Sequence, residues 1–143
     1  GFPESKMNKD RLYRGALKLH SIKEALEQHL SLKTNELFDI QDRIMLYDLT
    51  NTYFEGEKRN SKLAQFGRSK EKRSDAKLVV LALVVNIYGF IKYSSIHAGN
   101  FSDTTDLETV IDNLDYATNT KKPVVVIDAG IATKANLELI KTK

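Results

Sequence analysis

Two aspartates stand where an acid is costly unless it has a task. Asp48 interrupts Ile44-Met45-Leu46-Tyr47-Asp48-Leu49-Thr50-Asn51-Thr52-Tyr53-Phe54, a run of strand formers with apolar residues in both alternating sets. A charge buried in such a strand must be compensated by a cation or a set of donors. Asp128 closes Val124-Val125-Val126-Ile127 and is followed by Ala129-Gly130, small residues that leave room for a ligand beside the carboxylate. Two carboxylates on separate strands can share a divalent cation. With no cysteine and three histidines in the chain, hard oxygen donors favour Mg²⁺ or Mn²⁺ over zinc. Two such ions about 4 Å apart activate an attacking oxygen and stabilise a leaving one in phosphodiester cleavage. Spacing alone leaves a plainer reading open, in which Asp48 is a hydrogen-bonded sheet residue and Asp128 begins a strand-to-helix turn.

The elements that must position these acids are legible as periodicities. Over 10–38, Leu12, Ala16 and Leu19, then Ile22, Leu26, Leu30 and Leu37, recur at helical spacing. This predicts two helices, or one broken helix, packed through that stripe on something larger. The segment 44–54 is expected to be a central strand covered on both faces. A polar stretch, 55–77, carries eight basic residues (Lys58, Arg59, Lys62, Arg68, Lys70, Lys72, Arg73 and Lys77) and predicts a long loop. Strands over 78–87 and 90–96 form a hairpin about a turn at 86–89. A helix starting at Ser102 or Asp103 carries Leu107, Val110, Ile111 and Leu114 at i, i+3, i+4 and i+7. After the strand 124–127, Thr133 caps a last amphipathic helix. Three strands joined in sequence and a helical crossover to a fourth predict an α/β fold, a mixed sheet with helices on its faces. The expected division is an N-terminal helical segment, 1–42, and a core, 43–143.

Bulk properties narrow the class. The chain of 143 residues suits one domain, and its longest apolar run, 78–85, is far short of the roughly 20 residues of a membrane span. Without cysteine a disulfide framework is excluded, and no signal-peptide pattern is present, so the expected setting is intracellular. A net charge of +3 permits an acidic partner without requiring one. Because the chain opens Gly1-Phe2-Pro3 and stops at Lys143 beside a helix-like segment, it reads as a piece of a longer protein.

Four segments, in order, carry a family resemblance. Tyr47-Asp48-Leu49-Thr50-Asn51-Thr52-Tyr53-Phe54-Glu55-Gly56 resembles the first-aspartate motif of DDE transposases of the insertion-sequence-four-like group. Gly67-Arg68-Ser69-Lys70-Glu71-Lys72-Arg73-Ser74-Asp75 is similar to the basic segment that follows it, and Gly99-Asn100-Phe101-Ser102-Asp103 to the Gly-Asn-x-x-Asp turn before a helix. Val125-Val126-Ile127-Asp128-Ala129-Gly130 resembles the second-aspartate motif. The resemblance runs from Ile44 to the C-terminus. It implies a bacterial cut-and-paste transposase with a ribonuclease H-like core: antiparallel first three strands and a helical crossover to a parallel fourth. It further implies Asp48 and Asp128 as catalytic metal ligands and two Mg²⁺ or Mn²⁺ ions in the intact complex. The implied partners are transposon-end and target DNA, engaged by a homodimer, in a cytoplasmic, nucleoid-associated setting. The family's third ligand, a glutamate on a helix well beyond the second aspartate, is expected outside this chain, because Glu138 lies too close to Asp128. A piece with two of three acids is expected to be inactive.

Secondary sites follow. Thr50, two residues beyond Asp48, shares its face and is read as a donor orienting the carboxylate, or as an ordinary strand threonine. Arg68, Lys70, Lys72 and Arg73 are candidate DNA-phosphate contacts, diluted by Glu55, Glu57, Glu71 and Asp75. Asp103 is read as a helix cap rather than a ligand, His97 as a strand-end residue, and His20 and His29 as helix-surface residues. Two other readings differ in class. A haloacid-dehalogenase phosphatase requires Asp-x-Asp, where this chain has Thr50. An inactive transposase remnant would serve as a DNA-binding or interaction module.

Overall fold

The computed structural model describes residues 8–56, 59–67, 75–101, 106–117 and 123–142, excluding the side chains of 106 and 114–117. In chain order the elements are α1 (Lys9–Ser21), α2 (Lys23–Phe38), β1 (Ile44–Tyr53), β2 (Leu78–Asn86), β3 (Ile91–Ala98), α3 (Asp106–Ala117), β4 (Val124–Ile127) and α4 (Lys134–Thr142). Asn8 caps α1 by accepting from the Arg11 amide at 2.9 Å. The break at Ile22 divides the expected helical stretch in two. Asp39, at φ 50°, ends α2 in the left-handed conformation, and its amide donates to the Asn35 carbonyl. Thr133 caps α4 as its hydroxyl accepts from the Asn136 amide at 3.2 Å. The start of α3 expected at Ser102 or Asp103 lies outside the described residues.

The sheet has the order β3-β2-β1-β4. β1 is antiparallel to β2, β2 is antiparallel to β3, and β4 lies parallel to β1. This is the expected mixed topology, with three sequential antiparallel strands and a helical crossover to a parallel fourth. Met45, Tyr47 and Leu49 of β1 and Leu78, Val80, Ala82 and Val84 of β2 face one way. Leu107 and Val110 of α3 and Ile131 before α4 close over them.

Two expectations fail. β1 is not covered on both faces: its burial alternates strictly, with Ile44, Leu46, Asp48 and Thr50 exposed. Both α3 and α4 pack on the opposite side. The apolar residues of its second face therefore do not report a second layer among the described residues.

The other failure concerns α2. Ile22, Leu30 and Leu37 of the supposed packing stripe are exposed, whereas the polar series Lys23, Glu27, Ser31 and Asn35, spaced i, i+4, faces inward. The reason lies in what α2 meets. It lies beside the outer strand β3, which offers main-chain polar groups and the buried Lys92, and these need hydrogen-bonding partners rather than methyl groups. Lys92 Nζ bonds Asp42 at 2.7 Å, Asn35 Oδ1 at 2.7 Å and Ser31 Oγ at 3.1 Å. Asn35 and Asn86 amides donate to the two Asp42 oxygens at 2.6 and 2.9 Å. The Asn86 side chain also accepts from the Tyr88 and Phe90 amides, fixing the β2–β3 turn. α1 buries nothing.

Candidate metal centre

β1 and β4 run in parallel with one constant offset, from Ile44↔Val124 through Tyr47↔Ile127. Asp48 and Asp128 are each the next residue after that last pair. Asp48 belongs to the exposed set of β1, and the alternation of β4, with Val124 and Val126 exposed and Val125 and Ile127 half-buried, reaches an exposed Asp128. Neighbouring strands lie roughly 4.8 Å apart, so the register sets the two acids side by side at one level, on the face that α3 and α4 leave open.

The local geometry supports ligand access. Asp128 leaves the strand into a turn closed by the Ile131 and Ala132 amides donating to its carbonyl at 2.9 and 3.1 Å. A Cβ placed on Gly130 would lie in ordinary van der Waals contact with Asp128 Oδ2, at 3.8 Å. The Thr50 hydroxyl donates to Asp48 Oδ2 at 3.2 Å. The sequence-based argument that Asp48 is buried and needs compensation does not hold, because the residue is exposed. Two carboxylates on the face that α3 and α4 leave open are hard oxygen donors of the kind a divalent cation takes. Among the described residues, no group of three or more acids, histidines or cysteines gathers as an ion-binding cluster. Glu138 is exposed on α4 and bonds Lys141 at 3.3 Å.

Other candidates fall elsewhere. Arg68, Lys70, Lys72, Arg73 and Asp103 lie outside the described residues. His20 and His29 are exposed on the helices, and the His97 ring stacks on Phe101 at 4.2 Å. The two glycine motifs meet in space, which spacing could not reveal. A Cβ on Gly67 would fall 1.6 Å from Gly99 O, and one on Gly99 would fall 2.2 Å from Leu78 O. Bonds from Gly99 N to Leu63 O and between Gln65 and Leu78 pin 61–67 to the sheet. Gly67, the last described residue before the basic segment, therefore lies beside Leu78, which pairs with Tyr53, five residues further along β1 than Asp48. A cleft of about 420 Å³ between α2, β3 and α3 shares no residue with the acid pair and lies towards the opposite edge of the sheet.

No protein-family model matches the chain. Nor does any curated protein sequence match it. Among solved structures, it is similar to a Mos1 transposase paired-end complex with left transposon end, at 14% identity and a TM-score of 0.47. That match covers 96% of this chain and 41% of the other, so the chain spans less than half the length of the protein it resembles. A likeness of this degree transfers neither chemistry nor partner. No described helix is long and apolar enough to cross a membrane.

Proposed function

We propose that the chain is part of the catalytic core of a DDE DNA transposase of the insertion-sequence-four-like group, in which Asp48 and Asp128 hold one divalent cation, Mg²⁺ or Mn²⁺. The observation that carries this reading is the register: two acids eighty residues apart in sequence follow the same final pair of two parallel strands, on the face away from α3 and α4. The motif words around both acids point the same way. A bound divalent ion supplies Lewis-acid activation of the attacking oxygen and charge neutralisation at phosphorus. The chain's own residues do the rest. Asp48 and Asp128 supply hard oxygens from rigid strands, and the Thr50 hydroxyl restrains the Asp48 carboxylate by occupying Oδ2. The segment containing Arg68, Lys70, Lys72 and Arg73 neutralises DNA phosphates. In the intact protein the reaction is hydrolysis at a transposon end followed by transfer of the freed 3′ hydroxyl to target DNA, carried out by a homodimer. Two acids alone hold the attacking oxygen poorly, so this piece is inactive by itself.

The test is a Mn²⁺ titration followed by amide NMR. Paramagnetic broadening at Leu49 and Ala129 appears at the same Mn²⁺ concentrations, and Asp48→Asn removes both. If Asp48→Asn leaves the broadening at Ala129 unchanged, the shared-ion reading is wrong. Specific nicking of the terminal DNA by this chain with Mg²⁺ would overturn the inactivity. Tight DNA binding with no Mn²⁺ response at either aspartate would favour the remnant that only binds DNA.

A further inference from the structure

β3 is an outer strand of the sheet, and an outer strand presents a row of main-chain donors and acceptors to which another strand can pair. Its own residues do little to prevent this. Ile91 and Ile96 are 51% and 56% exposed, while Lys92, the one fully charged residue of the strand, is turned inward at 2%.

The protection comes from α2. The Lys23 ammonium donates to the Ser94 carbonyl, and the Ser94 amide donates to Glu27 Oε2 at 3.4 Å. The Ser94 hydroxyl donates to the other Glu27 oxygen. Lys23 and Glu27 pair with each other at 2.9 Å, with side chains only 29% and 18% exposed. The Lys23 ammonium also sits 5.6 Å from the centre of the Tyr93 ring. A cation on the acceptor and an anion on the donor, one helical turn apart, reproduce the polarity that a neighbouring strand would offer at that residue.

We infer that Lys23 and Glu27 form a strand-mimicking guard that stops the edge of β3 from pairing with the same edge of a second copy of this chain. A second copy fits because a two-fold axis brings identical edges together in antiparallel register. Ser94 and Ser95, at the middle of the strand, leave room for that approach.

Sedimentation velocity tests this over a concentration series. Lys23→Ala/Glu27→Ala is expected to associate, its apparent mass rising about twofold over the wild type at equal concentration. Adding Ser94→Pro is expected to return it to the wild-type mass, since proline deletes the amide at issue and is tolerated on an edge strand. Lys33→Ala/Glu36→Ala, which removes an exposed pair from the same helix, is expected to behave as wild type. A folded Lys23→Ala/Glu27→Ala that keeps the wild-type mass overturns the inference. So does association that survives Ser94→Pro or that also occurs in the Lys33/Glu36 control. Should the double variant lose its helical circular dichroism, Lys23→Ala alone decides the matter: association at higher concentration supports the guard, and the wild-type mass refutes it.

Discussion

Replacing Lys92 with methionine measures what a buried cation contributes to this fold. The methionine keeps most of the stem volume, so little cavity is created. What disappears is the ammonium, with its bonds to Asp42 and Asn35 at 2.7 Å and to Ser31 at 3.1 Å. Breaking a buried pair by removing one partner costs about 3–5 kcal/mol, because the other charge stays behind uncompensated. Here Asp42 retains the Asn35 and Asn86 amides at 2.6 and 2.9 Å, which places the loss near the lower figure, about 3 kcal/mol. With a urea m-value of about 2 kcal/mol/M, the unfolding midpoint falls by about 1.5 M. Adding Asp42→Asn removes the stranded charge, so the double variant loses less than the sum of the singles by about 1–3 kcal/mol. Urea unfolding followed by far-ultraviolet circular dichroism measures all three. A Lys92→Met loss below about 1 kcal/mol, or strict additivity with Asp42→Asn, would refute the account of a charge held by this network. The Mn²⁺ response at Asp48 and Asp128 is expected to survive in the folded fraction, since the network shares no residue with them.

Other perturbations bear on different parts of the molecule. Gly99→Ala places a Cβ against the Leu78 and Gln65 carbonyl oxygens, backbone atoms that cannot rotate away, and should cost about 1–3 kcal/mol or more in the same unfolding assay. Thr50→Val removes the hydroxyl that holds Asp48 Oδ2 and should weaken Mn²⁺ binding about tenfold in a paramagnetic titration without removing it. Alanine at Arg68, Lys70, Lys72 and Arg73 should flatten the salt dependence of DNA binding by about 0.9 in log–log slope for each phosphate no longer neutralised; an unchanged slope would dismiss the segment as a DNA-binding element. The Glu36 carboxyl is held below its usual range by a hydrogen bond from Lys33 and then by that residue's charge. The pair's small contribution is therefore present above the ordinary carboxylate pKa and lost as pH falls through the lowered one, and Lys33→Ala should raise the Glu36 titration seen by carbon NMR.

The strands, the turn at 86–89 and the later helices were legible because their periodicities report burial on one face. Leu107 and Val110 are buried where the i, i+3 spacing put them. That rule misled at α2, since it assumes that a helix packs through its apolar side. Lys23, Glu27, Ser31 and Asn35 look like a solvated stripe until the edge of β3 and the ammonium of Lys92 are set against them. Nothing local marks Lys92 as buried; its partners Ser31, Asn35 and Asp42 lie 50 or more residues away. β1 misled for a related reason, since Ile44 and Leu46 on its second face promised a cover that neither α3 nor α4 supplies. The two aspartates were picked out by the residues around them, and the argument from desolvation was mistaken, because Asp48 is exposed on the face of β1 away from α3 and α4. The close approach of Gly67 and Gly99 was invisible, because two glycines 32 residues apart carry no pattern.

The common offset of β1 and β4 gives the chain a tolerance that is easily overlooked. Because the two aspartates are aligned by strand phase, the connection between α3 and β4 can change in length without parting them, whereas Gly99 and the buried Leu107 and Val110 of α3 are held by packing. The condition is that Val125 and Ile127 still enter pointing at the hydrophobic interior. A slip of one residue would turn Asp128 inward, and a slip of two would carry it about 6.6 Å along the strand. Reporter peptides or affinity tags are therefore best grafted between α3 and β4, and an indel of a single residue inside β4 should do more harm than a ten-residue graft ahead of it.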